Sequence, residues 1–381
     1  MKERVVFDLF CGTGGFSLGF EKGNDEGHHF ATRFGMDILP IAVDTFKRNH
    51  PQAYGLAGDI RRVRRSEIAE RLGLQRGEVD VIIGGPPCQG FSSIRPFRSC
   101  NEDDPRNSLF EEYASFVNFF RPRVFVLENV VGLATHKNGD TLQAMESCFH
   151  ALGYDSEWRI LNAAHYGVPQ KRERLIMIGV ERGGKILFPR PTHQCDGPTI
   201  GYRDRSKVHT PASVQPLPLA VSVMDAIGDL PEVTSGDEAY NYDKPPKTLY
   251  QRDRRRNVKK LSLHSATNHS KKMMEIVRHS GKNIDAIPKH LITSGFSSSY
   301  SRLDADDPAV TITVNFVHPS SNRCIHPLQD RALTPREGAR LQSFDDSFEF
   351  SGNRTQIVKQ IGNAVPPLLG KALTSAVAQM L

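Results

Sequence analysis

Over roughly its first 185 residues the chain alternates short apolar runs with segments of helical spacing, and few folds accommodate that order. The runs at 4–10, 29–37, 79–85, 123–130 and 174–180, from "RVVFDLF" to "RLIMIGV", are dense in Val, Ile and Phe. Strands buried on both faces of a parallel sheet have that texture. Between them "ILPIAVDTFKRNH", "RRSEIAERLG", "SLFEEYASFVNFFR" and "TLQAMESCFHALG" carry apolar residues at helical intervals. The alternation predicts a doubly wound α/β sheet. From about residue 188 prolines multiply and periodicity fades, which marks a second, smaller domain. Helical spacing returns at 334–344 and 367–381.

With 381 residues the chain can bury one large core and a smaller one. Apolar residues make up 38% and charged residues 24%, proportions of a folded rather than a disordered chain. No apolar run approaches the roughly 18 residues of a membrane span, and "MKERVVFDLF" is too short for a signal peptide. The expected compartment is the cytoplasm. Six cysteines (Cys11, Cys88, Cys100, Cys148, Cys195, Cys324) form no CxxC pair, which argues against a zinc site or a disulfide framework. The net charge of +6 is unevenly spread. Residues 244–272 hold ten Lys/Arg against one acid, Asp253, with Tyr250, His264 and His269 among them. Such a run is either a solvated loop or a phosphate-contacting surface, and the motifs below favour the second.

In "VVFDLFCGTGGFSLGF" three glycines, Gly12, Gly14 and Gly15, stand between a strand and an amphipathic segment. They make either a plain strand-to-helix turn or a loop that lets backbone approach a ligand at the sheet's mouth. Asp37 ends the next strand and Asp59 in "AGDI" ends another. Each suits a cap or turn, yet a glycine loop followed by two such acids also describes an adenosine pocket.

In "VIIGGPPCQGFSS" a buried strand runs into Pro86 and Pro87 and then presents Cys88. The prolines fix φ and stiffen the chain ahead of the thiol. That rigid approach and the polar exit favour a positioned nucleophile over a structural cysteine, with Gln89 to about Asn107 as a closing loop. "FVLENV" sets Glu128 and Asn129 at another strand end, where a buried carboxyl can act as a general acid. "YGVPQKRERLIMIG" then supplies Gln170, Arg172 and Arg174, either surface ion-pair partners or holders of a phosphate or carbonyl.

These blocks resemble those of the C5-cytosine DNA methyltransferases of bacterial restriction–modification type. "DLFCGTGGFSLGF", "GGPPCQGFS", "LENV", "QKRERLIMIG", "RALTPREGARLQSF" and "QIGNAVPP" occur in that family's order and span nearly the whole chain. The resemblance implies a Rossmann-like S-adenosylmethionine-dependent catalytic domain at 1–187 plus 356–381, with a target-recognition domain and hinge at 188–355. It implies S-adenosylmethionine as cofactor, no metal, and double-stranded DNA as partner. A monomer, paired functionally with a cognate restriction endonuclease, follows from the same likeness, as does association with the nucleoid.

Carried over by position, Cys88 is the nucleophile, Glu128 engages cytosine N3 and its amino group, and Arg172 and Arg174 complete the catalytic set. Phe10, Gly12 and Gly14 approach the cofactor, Asp37 its ribose, and Asp59 with Ile60 its adenine. Pro86, Leu109 and Asn363 close that pocket, while Gln89, Ser92, Asn129 and Gln170 contact substrate. Asp37 departs from the family, which has Glu followed by an aromatic residue; here Ile38 follows, so stacking on adenine is weaker. An amino-directed methyltransferase would carry an aromatic residue after Pro-Pro, not a cysteine. An RNA-directed relative would carry a Cys-Phe-Thr block, which is not found. An inactive DNA-binding relative remains as an alternative, although each chemical position is intact. A dehydrogenase would need a different glycine spacing and leaves Cys88 and Glu128 unexplained.

Overall fold

The computed structural model describes residues 2–23, 27–87, 109–196, 204–210, 216–292 and 297–381. Its first part runs β1 (Lys2–Leu9), α1 (Gly15–Lys22), β2 (His28–Asp37), α2 (Pro40–Asn49), β3 (Tyr54–Ala57), α3 (Arg65–Leu72), β4 (Val81–Gly84), α4 (Leu109–Phe120) and β5 (Val124–Val130). It continues with α5 (Asp140–Ala151), β6 (Tyr154–Asn162), β7 (Gln170–Lys171), β8 (Glu173–Glu181) and β9 (Val208–His209). Among the described residues these strands build one sheet in the order β3-β2-β1-β4-β5-β8-β6-β9, with β7 outside it. Neighbours from β3 to β5 are parallel.

Period-2 alternation within the strands explains the two-sided burial. Phe7 and Leu9 point into a core with Phe34, Ile82, Phe116 and Phe125, covered by α4 and α5. Val6, Val81, Ile83 and Val126 point the other way, against Phe16 and Phe20 of α1. That second face is also covered by Leu369, Leu373 and Val377, so the end of the chain returns to the sheet.

One expectation is corrected here, and one strand is additional to those expected. The strand at 174–180 does not continue the parallel array, because β8 runs antiparallel to both β5 and β6. Strand β6 had no sequence expectation at all. Its Asp155, Glu157 and Arg159 break the apolar run, and only Tyr154, Trp158, Ile160 and Leu161 are buried.

Beyond the sheet follow α6 (Val223–Ile227), α7 (Leu249–Arg254), α8 (Lys271–Arg278), β10 (Ala309–Val310), α9 (Pro335–Leu341), α10 (Arg354–Asn363) and α11 (Pro367–Ala378). Most of this region packs around its own core of Val223, Ile227, Ile312, Leu341, Phe344 and Ile361. Helix α9 begins with a capping box between Thr334 and Glu337. It then buries its charges in pairs: Arg331 on Glu337, and Arg340 on Asp229 and Asp346. Removing either partner leaves an uncompensated buried charge, so this network specifies how α9 sits.

Candidate active site

The strand order reverses between β1 and β4, and open α/β sheets bind ligands at such a point, outside the carboxyl ends of the strands. Phe10 leaves β1 with φ 62, and Gly12 and Gly14 follow at φ 52 and 84. Glycine tolerates this left-handed backbone, whereas Phe10 is held there by its surroundings. The Gly14 N–H closes the turn on the Cys11 carbonyl at 2.8 Å. Asp37, at the end of β2, accepts the Gly12 N–H at 3.0 Å and the Leu39 N–H at 2.9 Å. Burial raises the Asp37 carboxyl above its ordinary range, against these hydrogen bonds.

This loop fits an adenosine-bearing cofactor on its own evidence. Among the described residues, a Cβ placed on Gly12 would meet nothing within 4 Å. The buried Thr13 hydroxyl has no hydrogen-bond partner among the described residues. Ile38 and Leu39, directly after Asp37, are 64% and 53% exposed, an apolar shelf at the sheet's edge. Asp59 caps a 3-10 turn, and Arg61 takes up both of its oxygens, lowering its pKa. Ile60 is buried in the core rather than open to the loop. Leu109 begins α4 half-buried, and Asn363 is exposed at the end of α10.

The second half of the site lies at the ends of β4 and β5, which pair in parallel with Gly84 opposite Leu127. The Asn129 amide donates to the Pro86 carbonyl at 2.9 Å, tying the β5 end to the proline lead-in. A Cβ on Gly85 would stand 3.1 Å from Glu128 Oε2, so glycine lets that carboxylate lie against the lead-in. On the other side, Arg174 Nε lies 2.8 Å from Glu128 Oε1, with both side chains mostly buried. Their positions are diagonal across the antiparallel β5–β8 ladder, where Glu128 faces Ile176 and Val130 faces Arg174. Cys88, Gln89 and Ser92, with the expected closing loop, lie outside the described residues.

Gln170, expected to contact substrate, and Arg172, expected in the catalytic set, are both buried against the second core. The Gln170 amide donates to the Leu341 carbonyl and Gln342, and accepts the Ile312 N–H at 2.7 Å, with no exposed surface. Arg172 donates to the carbonyls of Ile312 and Gly362. Burial first, and Arg174 next, bring its pKa down to about 9. Both residues therefore join the sheet to the second core. Only Arg174 of the alternating set reaches Glu128.

The basic run is also divided. Arg254 is buried and donates to the Ser343 carbonyl, and Arg255 lies over the Tyr242 ring at 3.6 Å. Tyr250 and His264 are internal too, donating to Arg340 and pairing with Thr334. Arg252, Arg256, Lys259, Lys260, Lys271 and Lys272 remain exposed. Of the run 244–272 expected to contact phosphate, Arg254 therefore turns inward rather than toward solvent.

Asp8 escaped the sequence reading, although an acid inside "VVFDLF" signals a buried polar group. It is 1% exposed and accepts the Ser17 hydroxyl at 2.6 Å. Desolvation pushes its carboxyl from 3.8 up to about 7, only partly offset by Ser17 and His50. The folded state thus keeps a proton that the unfolded chain releases, so Asp8 lowers stability progressively as pH rises from 3.8 to about 7. Asp8→Asn, which can still accept from Ser17, is expected to flatten that slope. Thermal melts of both proteins across this pH range check it; parallel slopes would refute the assignment.

The family described as C-5 cytosine-specific DNA methylase matches residues 5–379. The Type II methyltransferase M.AgeI of Thalassovita gelatinovora is 34% identical, over 98% of this chain and 98% of its own length. M1.HphI of Haemophilus parahaemolyticus is 36% identical, over 99% of this chain and 87% of its own. A solved structure named for a prophage-encoded DNA modification methyltransferase of E. coli superposes with a TM-score of 0.73. It is 26% identical and covers 99% of both chains.

Proposed function

The chain belongs to the C-5 cytosine-specific DNA methylases and is a DNA (cytosine-5-)-methyltransferase of restriction–modification type, and from that premise we infer that Cys88 and Glu128 act together on a cytosine turned out of the duplex. The supporting observation is the seam between β4 and β5. Asn129 holds the Pro86 carbonyl and Gly85 admits the Glu128 carboxylate, so the approach to Cys88 and the carboxylate share one site.

Cytosine C5 is a poor nucleophile, so attack at C6 must come first. The Cys88 thiolate forms an Sγ–C6 bond, and the C5–C6 electron pair shifts onto C5 and toward N3. Glu128 supplies a proton at N3, while Arg174 fixes the carboxyl's orientation. S-adenosylmethionine, when bound, supplies an electrophilic methyl group for C5. A base then removes the C5 proton, the Sγ–C6 bond breaks to return the thiolate, and N3 gives its proton back to Glu128. None of this is reachable within a stacked duplex, hence the flipped base.

The Phe10–Gly14 loop would hold the cofactor, with Asp37 for its ribose and Ile38 and Leu39 for its adenine. Asp59 would take the adenine amino group in competition with Arg61. Residues 1–187 plus 356–381 form the catalytic domain, and 188–355 the target-recognition domain and hinge. The enzyme acts as a cytoplasmic monomer on nucleoid DNA, alongside a cognate restriction endonuclease. Bisulfite sequencing of DNA from an expressing host tests this reading. A recurring motif with protected cytosines supports it, and uniformly converted DNA refutes it.

The exposed lysines provide a further test. Lys259→Ala with Lys260→Ala is expected to weaken DNA binding at every sequence and to reduce the salt slope by about one to two, one for each lost phosphate contact. A filter-binding titration against salt measures this; an unchanged slope removes both lysines from the interface.

A further inference from the structure

His50 ends α2, thirteen residues after Asp37 in the sequence. Its side chain is fully buried, yet both ring nitrogens find partners on other elements. Nε2 lies 3.1 Å from the Gly14 carbonyl, and Nδ1 lies 3.0 Å from each oxygen of Glu21 in α1. The Gly14 carbonyl can only accept, so Nε2 is the donor to it, and Nδ1 faces the Glu21 carboxyl. The imidazole also packs on Phe46, with centroids 4.7 Å apart.

One rigid ring thereby links the end of α2 to both the first turn and the last turn of α1. What it grips is the glycine loop. Gly14 is the N-cap of α1 in the left-handed region, and a Cβ there would stand 2.4 Å from His50 Nε2. The ring fills the space a side chain would need, so the glycine is required by His50 as well as by φ. Asp37 holds the same loop at Gly12, two residues earlier. Thr13, between the two anchors, carries the buried hydroxyl with no partner among the described residues. A loop held at both ends, with an unpaired donor and acceptor between, is set up to receive a ligand before the ligand arrives.

We propose that His50, locked by Glu21, is a positioning residue that holds the Gly12–Gly14 loop in its cofactor-receiving conformation. It touches neither cofactor nor DNA and acts through the Gly14 carbonyl. The inference rests on the reading that this loop takes S-adenosylmethionine. The charged groups facing His50 are Glu21 from α1 and Asp8 from β1.

The test is calorimetric titration of the full chain with S-adenosylmethionine, beside DNA affinity and steady-state kinetics. His50→Gln cannot bridge both acceptors and is expected to weaken cofactor binding roughly tenfold, the scale of one lost buried hydrogen bond. KM for the cofactor should rise with little change in kcat at saturation or in DNA affinity. Glu21→Leu, at a partly exposed site, leaves His50 in place but unlocked, and should weaken cofactor binding in the same selective way. Glu21→Gln offers an amide donor to Nδ1 while Nε2–H stays on Gly14, and should restore near-normal affinity. Normal cofactor affinity in both His50→Gln and Glu21→Leu overturns the clamp, as does a parallel loss of DNA and cofactor affinity. A wild-type chain that takes up no S-adenosylmethionine overturns the cofactor reading instead.

Discussion

Cys88→Ser is expected to bring methyl transfer down to background while cofactor and DNA binding persist. A serine hydroxyl is almost wholly protonated near neutral pH, where a thiol supplies some thiolate, and the reaction begins with that anion. Radiolabelled methyl transfer by the purified variant measures the loss, and near-normal turnover would remove covalent addition from the mechanism. The same addition can be caught in the wild type. A fluorine at C5 of the target cytosine is close to hydrogen in size, so base flipping and Sγ–C6 bond formation should proceed. Fluorine cannot depart as a cation, so the final elimination stalls. An SDS-resistant protein–DNA adduct that needs S-adenosylmethionine and disappears in Cys88→Ser is the expected outcome. Failure to trap on a duplex the enzyme methylates would point to transfer onto an amino group.

Glu128→Gln carries the second large effect. The amide keeps the shape of the carboxyl and can donate a hydrogen bond toward N3, but it cannot hand over a proton. A fall of about 10²–10⁴ in the single-turnover rate is expected, the usual contribution of a general acid–base group. The structure adds a structural cost. Arg174 loses the carboxyl oxygen that lies 2.8 Å from its Nε and remains mostly buried, so some loss comes from a misplaced guanidinium. Arg174→Lys separates the two effects, since it keeps a charge but not the guanidinium geometry. An unchanged rate in Glu128→Gln would exclude the carboxyl from the chemistry.

The sheet was readable in the sequence because strands buried on both faces must be apolar throughout, and their helices must present an apolar stripe. Helices such as α2, α4 and α5 fall where those stripes lie. Strand β6 was not readable, because a strand with a partly open face and three charged residues has no such run. Periodicity also carries no strand direction: the apolar run of β8 is compatible with either orientation, and pairing with β5 and β6 made it antiparallel.

The sequence by itself determined the chemical alphabet of this protein. The rigid Pro-Pro-Cys approach, a carboxylate at a strand end and a glycine loop are local features whose backbone demands are written in adjacent residues. Tertiary structure decided which polar residues are tools and which are fasteners. Within one alternating trio, Arg174 meets Glu128, whereas Gln170 and Arg172 bond to backbone 140–190 positions away. Arg254, in a run that reads as a basic surface, turns inward to the Ser343 carbonyl. His50 and Asp8 stood outside every motif, yet one lies against the Gly14 carbonyl and the other is buried on Ser17 with its carboxyl raised to about 7. The physical reason is common to all of them. A buried polar side chain must find a partner, and that partner is supplied by packing between distant segments rather than by neighbours in the chain.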